Sequence, residues 1–217
     1  MRETGGTAPV LDLHLRGLAY EGADILGDIS FAIPRGQTVA LVGPSGIGKS
    51  SLLRIFAGLE RGYDGTCTVT GRTAMVFQEP TLLPWRSLRD NITIAAGVST
   101  DVADAVLADV GLADRRDAFP NRLSLGQQRR LSLARAFAVR PDLLLMDEPF
   151  VSLDPQLVGE MIALFARLRN AYGVTTVLVT HVVEEARQLA DRILTLSGQP
   201  ARVASDTFNI AAQKSGA

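Results

Sequence analysis

The chain has 217 residues, of which 47% are hydrophobic and 21% are charged, and its 22 basic and 23 acidic side chains leave a formal net charge of −1. This composition is typical of a folded domain, and it excludes disorder over most of the length. The balanced charge gives no field that would by itself attract nucleic acid or an anionic bilayer, and no apolar run approaches the ~20 residues that span a membrane.

The first half of the chain predicts strands followed by a helix. Hydrophobic residues alternate with polar ones over 10–20 and 29–33, which is the period of a half-buried strand. The run TVALV (38–42) is apolar throughout and predicts a buried strand, and 49–58 predicts the helix that follows it. Further strands are predicted at 65–72 and 73–77.

The segment after these strands predicts a helical insertion. Pro80 and Pro84 interrupt the strand pattern, and helical character then continues to about residue 138. We therefore expect a single domain over residues 1–217, with a core formed by 1–79 and 139–217 and a helical subdomain at 80–138.

The last third returns to strands of the parallel type. DLLLMD (142–147) and TTVLVT (175–180) are apolar runs, and the helix between them begins at Asp154-Pro155 and ends at Gly173. RILTLS (192–197) predicts one more strand, and the polar tail from about 206 onward is expected to be loose. The inner face of the helix is expected to consist of Leu157, Met161, Leu164, Phe165 and Leu168. The fold class that follows is α/β, a mostly parallel sheet with an antiparallel N-terminal β part and an inserted α-helical subdomain.

A phosphate-binding loop is the most specific motif of the chain. GPSGIGKS fits G-x-x-x-x-G-K-[ST] and lies between a buried strand and a helix start, which is the context that the motif requires. The only lysines of the chain are Lys49, inside this motif, and Lys214. Backbone N–H groups and the helix N-terminus would hold phosphate oxygens, Lys49 would span the β- and γ-phosphates, and Ser50 would ligate Mg²⁺. The alternative is an ordinary glycine-rich turn. The expected nucleotide-binding residues are Gly43, Pro44, Ser45, Gly46, Gly48, Lys49, Ser50 and Ser51.

Polar residues follow three other strands and complete this site. Asp147 and Glu148 end an apolar strand on opposite faces, so we assign Asp147 to the Mg²⁺ shell and Glu148 to orienting or deprotonating the attacking water. His181 ends the next strand and is expected to contact the γ-phosphate. Gln78 ends TAMVF, where its amide would ligate Mg²⁺ or hold the water. Each has a plainer alternative, namely solvated carboxylates, a structural histidine and a polar strand cap.

These motifs resemble the ATP-binding subunits of ABC transporters over about residues 10–200. LSLGQQRR (123–130) resembles the LSGGQ signature of that family, and it stands in the family's order between Gln78 and Asp147-Glu148. The resemblance implies a RecA-like P-loop NTPase fold and hydrolysis of ATP with Mg²⁺. It also implies that Tyr20 stacks on adenine, although an ordinary strand tyrosine is the alternative.

The resemblance implies a composite site between two chains arranged head to tail, most simply a homodimer. Ser124, Gly126 and Gln127 of the signature, together with Asp154, would contact the ATP bound to the partner. Ser124 and Gln127 also have the spacing of a capping box, and Asp154-Pro155 that of a helix start, and both readings can hold at once. A monomer should then be a poor catalyst.

Three residues depart from the family pattern, and two segments point to one branch of it. Leu125 replaces a glycine, Val182 an aspartate and Ser51 a common threonine.

QEPTLLPW (78–85) and DEPFVSLD (147–154) resemble importers of nitrate, sulfonate, taurine or thiamine precursors. The implied partners are membrane permease subunits and, indirectly, a solute-binding protein. Trp85 is a candidate permease contact, with burial in the helical insertion as the alternative.

Other functional classes fit the sequence less well. A non-transport ABC ATPase acting on nucleic acid or the ribosome usually carries tandem ATP domains or a long arm, and too few residues separate Gln78 from 123–130 for such an arm. A GTPase would show N-K-x-D, which is missing. Because Cys67 is the only cysteine and the first ten residues lack a signal-peptide pattern, we expect a cytoplasmic protein. The resemblance implies that it lies peripherally on the inner face of the cell membrane, and the balanced charge predicts no nucleic-acid partner.

Overall fold

The computed structural model describes residues 8–209 and consists of ten strands and six helices in that range. The elements are β1 Leu11–Tyr20, β2 Ala23–Leu26, β3 Ile29–Ile33, β4 Thr38–Val42, α1 Lys49–Phe56, β5 Tyr63–Val69, β6 Thr73–Val76, α2 Leu88–Ala96, α3 Thr100–Asp109, α4 Leu125–Ala138, β7 Leu143–Asp147, α5 Pro155–Tyr172, β8 Thr175–Thr180, α6 Val183–Leu189, β9 Arg192–Ser197 and β10 Arg202–Phe208. Short 3-10 turns lie at Ala113–Arg115 and Pro120–Arg122. None of the helices in this range is long and apolar enough to cross a membrane.

The main sheet has six strands in the order β10-β9-β4-β8-β7-β6. All pairs are parallel except the edge pair of β9 with β10. Every residue of β4 and β8 is buried. Strands covered on both faces are mostly apolar and show no alternation, and the polar residues of these two strands are buried threonines at their ends.

The smaller sheet is antiparallel and is built on β1. This strand pairs with β2, β3 and β5. Leu11, Leu13 and Leu15 are buried while His14 and Arg16 are exposed, as the alternating sequence requires of a sheet with one wet face. The α/β fold with an antiparallel N-terminal part is therefore confirmed.

Helices α2, α3 and α4 lie between β6 and β7 in the chain and share an apolar core with α5. Leu88, Ile92, Leu107 and Leu131 are fully buried in that core. Of the five residues expected on the inner face of α5, four are buried and Leu157 is half-buried. The helical segment begins at Leu88, eight residues later than the proposed boundary at 80; the division into 1–79, 80–138 and 139–217 remains a prediction.

The expectation of a loose tail from 206 is wrong for residues 206–208. These residues belong to β10, where Asp206, Thr207 and Phe208 pair with β9. Arg192 of β9 donates two hydrogen bonds to the Asp206 carboxylate, at 2.8 and 2.7 Å. A polar edge strand of this kind is stabilised by its ladder and by ion pairs, which hydrophobic periodicity does not report. Residues 1–7 and 210–217, including Lys214, lie outside the described range.

Candidate functional site

The carboxyl ends of four parallel strands form one edge of the main sheet. Val42 of β4 pairs with Thr180 of β8, and Asp147 of β7 pairs with Val179. Val76 at the end of β6 pairs with Met146. Ligands of open parallel sheets bind outside this edge, so the loops that follow these strands are the candidate site.

The segment between β4 and α1 is the predicted phosphate loop. Gly46 and Gly48 have φ values of 78° and 104°, which side-chain-bearing residues rarely adopt. A Cβ at Gly48 would also lie 2.6 Å from a methyl carbon of Leu26. Glycine is therefore required at Gly48 by both backbone conformation and packing.

The Lys49 side chain folds back onto the loop that precedes it. Its ammonium group donates to the carbonyl oxygens of Gly43 and Pro44, each at 2.8 Å. The side chain is buried, and burial lowers the pKa of Lys49 while the nearby carboxylates oppose that shift. A buried ammonium held by neutral carbonyls is suited to an anionic ligand, because phosphate would supply the charge that the loop lacks.

Asp147 and Ser50 place two oxygen ligands side by side. The Ser50 hydroxyl donates to Asp147 Oδ1 at 3.0 Å. Burial raises the pKa of Asp147, with the Glu148 charge adding to the shift and the Ser50 hydrogen bond opposing it. The pair fits Mg²⁺, which is commonly held by one or two protein oxygens plus phosphate and water. Within residues 8–209 no cluster of three or more His, Cys, Asp or Glu side chains is arranged to hold a metal.

Glu148 and His181 form the second half of this cluster. Glu148 Oε2 lies 3.2 Å from His181 Nδ1, and Glu148 Oε1 lies 4.0 Å from Lys49 Nζ. The backbone of Glu148 has a positive φ of 44°, and its N–H donates to Val179 O at 2.9 Å. Such strained residues are held by their surroundings and are common at active sites. A cleft of about 220 Å³ beside Glu148 and His181 has room for water.

Gln78 lies two residues beyond β6 and is exposed. The pairing of β6 with β7 puts it at the same sheet edge as Asp147. The structure thus joins Lys49, Ser50, Asp147, Glu148 and His181 by direct contacts, and Gln78 lies exposed at the same edge of the sheet.

A second group of predicted residues lies at the neighbouring starts of α4 and α5. Ser124 Oγ accepts from Gln127 N at 3.3 Å and Gln127 Oε1 accepts from Ser124 N at 3.1 Å, a complete capping box. Asp154 caps α5 by accepting from Leu157 N at 3.0 Å. A Cβ on Gly126 would lie 2.8 Å from a methyl carbon of Leu157, so the small residue lets the two helix starts approach. Leu125 is 41% exposed.

Tyr20 and Trp85 lie on the surface in different surroundings. The Tyr20 hydroxyl donates to Glu60 Oε2 at 2.8 Å, beyond the C-terminal end of α1, whereas the phosphate loop adjoins the N-terminal end. Trp85 is 69% exposed, so burial in the helical insertion is excluded.

Two structural features near the site lie outside the sequence prediction. Thr180 Oγ1 accepts from Val182 N at 3.0 Å and donates to Glu185 Oε2 at 2.5 Å. Thr180 and Val182 are the chain neighbours of His181. The Thr-x-x-x-x-Glu spacing is a weak local signal for this contact. The second is the buried guanidinium of Arg129, for which the sequence gives no local signal.

The sequence matches one family model and is similar to curated proteins of the same kind. The sequence model of the family described as ABC transporter matches residues 26–151. The chain is 44% identical over 195 residues to the aliphatic sulfonates import ATP-binding protein SsuB 1 of Rhodococcus jostii (strain RHA1), covering 87% of this chain and 80% of that protein. It is 46% identical over 184 residues to the corresponding SsuB of Mycobacterium avium (strain 104), covering 82% and 73%.

Among solved structures, the chain resembles cbiO1 from Clostridium perfringens, described as part of the ABC transporter complex cbiONQ. The TM-score is 0.84 at 23% identity, over 97% of this chain and 92% of that one. At this identity the likeness supports the fold alone.

Proposed function

Because this chain belongs to the ABC transporter family, we propose that it is the ATP-hydrolysing subunit of a membrane importer for a small sulfonate-like solute. The observation that carries the ATPase assignment is the joining of Lys49, Ser50, Asp147, Glu148 and His181 by contacts at one sheet edge. The proteins named for aliphatic sulfonate import support the choice of solute.

The residues divide the work of hydrolysis. The loop from Gly43 to Ser51 binds the phosphates through its backbone N–H groups, and the Lys49 ammonium holds the β- and γ-phosphates. Mg²⁺, held by Ser50 and Asp147 with Gln78, would neutralise phosphate charge. Glu148 orients the attacking water and takes its proton, so that an oxygen–phosphorus bond forms as the bond to the ADP leaving group breaks.

His181 holds the catalytic carboxylate and faces the nucleotide. Its Nδ1 lies 3.2 Å from Glu148 Oε2, so this ring nitrogen fixes the carboxylate, and we assign the other ring nitrogen to the γ-phosphate. This contact holds the Glu148 carboxylate in an orientation from which it can hydrogen-bond to the attacking water. Such positioning is a main contribution of a protein to phosphoryl transfer.

The second group of residues would act on a partner's nucleotide. Ser124, Gly126, Gln127 and Asp154 lie at two adjacent helix starts, whose N–H groups and partial positive charge favour anions. We assign them to the ATP of a second, head-to-tail copy of the chain. We assign Tyr20 to the adenine through its ring alone, since its hydroxyl is bonded to Glu60.

The other proposed partners are membrane permease subunits and, indirectly, a solute-binding protein. Trp85 follows the Gln78 segment and exposes 69% of its surface, which suits a contact with a permease subunit. The chain would then lie on the cytoplasmic face of the membrane, and a solute-binding protein would act on it indirectly.

The ATPase assignment predicts different losses in two variants. Glu148→Gln should bind ATP as the wild type does and lose at least about 100-fold in kcat, because the proton acceptor is removed. Lys49→Ala should instead lose most of its ATP affinity, since the point charge of the loop is gone. Nucleotide titration and a phosphate-release assay on the purified chain measure both. Normal turnover by Glu148→Gln would contradict its role, and an unchanged Kd in Lys49→Ala would contradict the loop assignment.

A further inference from the structure

One face of α4 holds the segment that follows Gln78. Ser132 Oγ donates to Pro80 O at 3.0 Å, and Arg135 Nη1 donates to Thr81 O at 2.8 Å. Thr81 has a positive φ of 43°, so these bonds secure a strained stretch of backbone. The helix that begins with the signature therefore fixes the course of this loop.

Arg129 lies one turn earlier on α4 and reaches a different loop. Its Nη2 donates to Val151 O at 3.4 Å, in the segment between Glu148 and Asp154. In that segment Glu148 and Ser152 have positive φ values of 44° and 64°. Val151 lies between these two strained residues, so its carbonyl is a point at which the course of the catalytic segment can be fixed.

The Arg129 guanidinium is buried and only partly bonded. The residue is 5% exposed, and its Nε and Nη1 have no hydrogen-bond partner within residues 8–209. Burial lowers the pKa of Arg129, and the charge of Glu79 opposes that shift. Glu79 itself is exposed and directly follows Gln78. Buried charged donors without acceptors are costly, so the arrangement favours a state in which a nearby carboxylate accepts from one of them.

We propose that Arg129 is a positioning residue that joins the Gln78 segment to the catalytic segment. Its Nη2 holds Val151, and one of its two unpartnered donors, Nε or Nη1, takes the Glu79 carboxylate when the two segments close around the nucleotide. Closure then moves Gln78 and Glu148 together, because one rigid guanidinium is bonded to both loops. This inference rests on the proposed ATPase function.

The test is hydrogen exchange with and without the non-hydrolysable analogue adenylyl imidodiphosphate, on the full chain. In the wild type the analogue should slow exchange in 43–50, 76–82 and 148–154. Arg129→Met should still show slower exchange at 43–50 when the analogue is bound. In 76–82 and 148–154, its exchange with the analogue should be about 2- to 30-fold faster than that of the wild type. The kcat for ATP should fall by a similar factor while the KM changes less than about twofold.

Arg130→Met is the matched control. Arg130 is the next residue of α4, and its guanidinium bonds to Val110 O at 3.3 Å and Glu160 at 3.1 Å, away from both loops. This variant should exchange as the wild type does in 76–82 and 148–154. If it loses the same protection as Arg129→Met, the effect comes from α4 in general and the proposal is wrong.

Glu79→Gln tests the partner and avoids any folding defect, since Glu79 is exposed. It should reproduce the loss of protection at 76–82. In that segment the double variant with Arg129→Met should lose no more protection than either single variant. Full additivity, or wild-type protection in Arg129→Met, would overturn this inference alone. A wild-type chain without protection at 43–50 would overturn the ATP-binding function itself.

Discussion

At the scale of single residues, Thr180 controls the backbone next to His181. Its hydroxyl is 2.5 Å from Glu185 Oε2 and 3.0 Å from Val182 N, and the residue is buried. The N–H of Val182, directly before α6, has no acceptor within the helix, so the Thr180 oxygen satisfies it. Burial raises the pKa of Glu185, and its bond to Thr180 opposes the shift. The Thr180 hydroxyl therefore fixes the backbone on the C-terminal side of His181.

Thr180→Val should lower kcat by about 10-fold with little change in ATP affinity. Valine keeps the volume but removes the hydroxyl, so His181 and the Glu148 carboxylate that it contacts lose their fixed orientation. Steady-state ATPase assays and nucleotide titration separate the two parameters. Thr180→Ser, which retains the hydroxyl, should restore the rate; wild-type kcat in the valine variant would show that the contact is not needed.

At the scale of elements, Asp142 aligns the start of β7 with its neighbours. Its Oδ1 accepts from Arg35 Nη1 at 2.6 Å, and its Oδ2 accepts from the backbone N–H of Arg72 at 2.9 Å. These bonds, the Arg35 contact first, lower the pKa of Asp142. Gly71 has a φ of 91°, and a Cβ there would lie 2.2 Å from Asp142 Oδ2. The carboxylate thus occupies space that only glycine leaves free.

Asp142→Ala should reduce the free energy of unfolding by about 1–3 kcal/mol at pH 7, because it leaves the Arg72 N–H and the Arg35 guanidinium without their acceptor. A carboxylate whose pKa is lowered by folding stabilises fully above its unfolded pKa, and this stabilisation is lost as pH falls through the folded value. The difference between the variant and the wild type should therefore narrow below about pH 4.

Urea unfolding at pH 7 and at pH 3 measures that difference. Asp117→Ala is the surface control, since Asp117 is 75% exposed and also binds an arginine, Arg89 at 3.0 Å. Asp117→Ala should lower the free energy of unfolding by less than about 1 kcal/mol at either pH. An Asp142→Ala penalty that is the same at both pH values would refute the role of the charge.

At the scale of the whole molecule, the two groups of site residues belong to different parts of the fold. Lys49, Asp147 and Glu148 lie at the edge of the sheet, whereas Ser124 and Asp154 lie at the starts of α4 and α5. In the proposed dimer each chain supplies one group to each nucleotide. The activity per chain should then depend on how much of the protein is associated.

The ATPase rate per chain should fall steeply as the purified protein is diluted through its dimer dissociation constant. Mass action separates the two halves of each composite site, and neither half hydrolyses ATP well alone. The phosphate-release rate over a wide dilution series, with sedimentation in ATP at the same concentrations, measures both quantities. A constant rate per chain where sedimentation shows only monomers would rule out the composite site.

The sequence alone determined the features that depend on neighbouring residues. The strands 29–33, 38–42, 175–180 and 192–197 have the predicted bounds. Helix α4 begins after its predicted capping residue Ser124, and α5 begins after Asp154 and ends before Gly173, as predicted. The loop that ends at Lys49 has the predicted strand before it and the predicted helix after it. Periodicity, caps and glycine conformations are local properties, so one segment is enough to reveal them.

Only the tertiary structure decided the contacts between distant segments. β2 and β10 are short or polar edge strands that exist through pairing with β1 and β9. The bond of Tyr20 to Glu60 and the burial of Arg129 beside Val151 join residues far apart in the chain. Such contacts follow from how the helices and sheets pack together, and a short window of sequence carries no record of that packing.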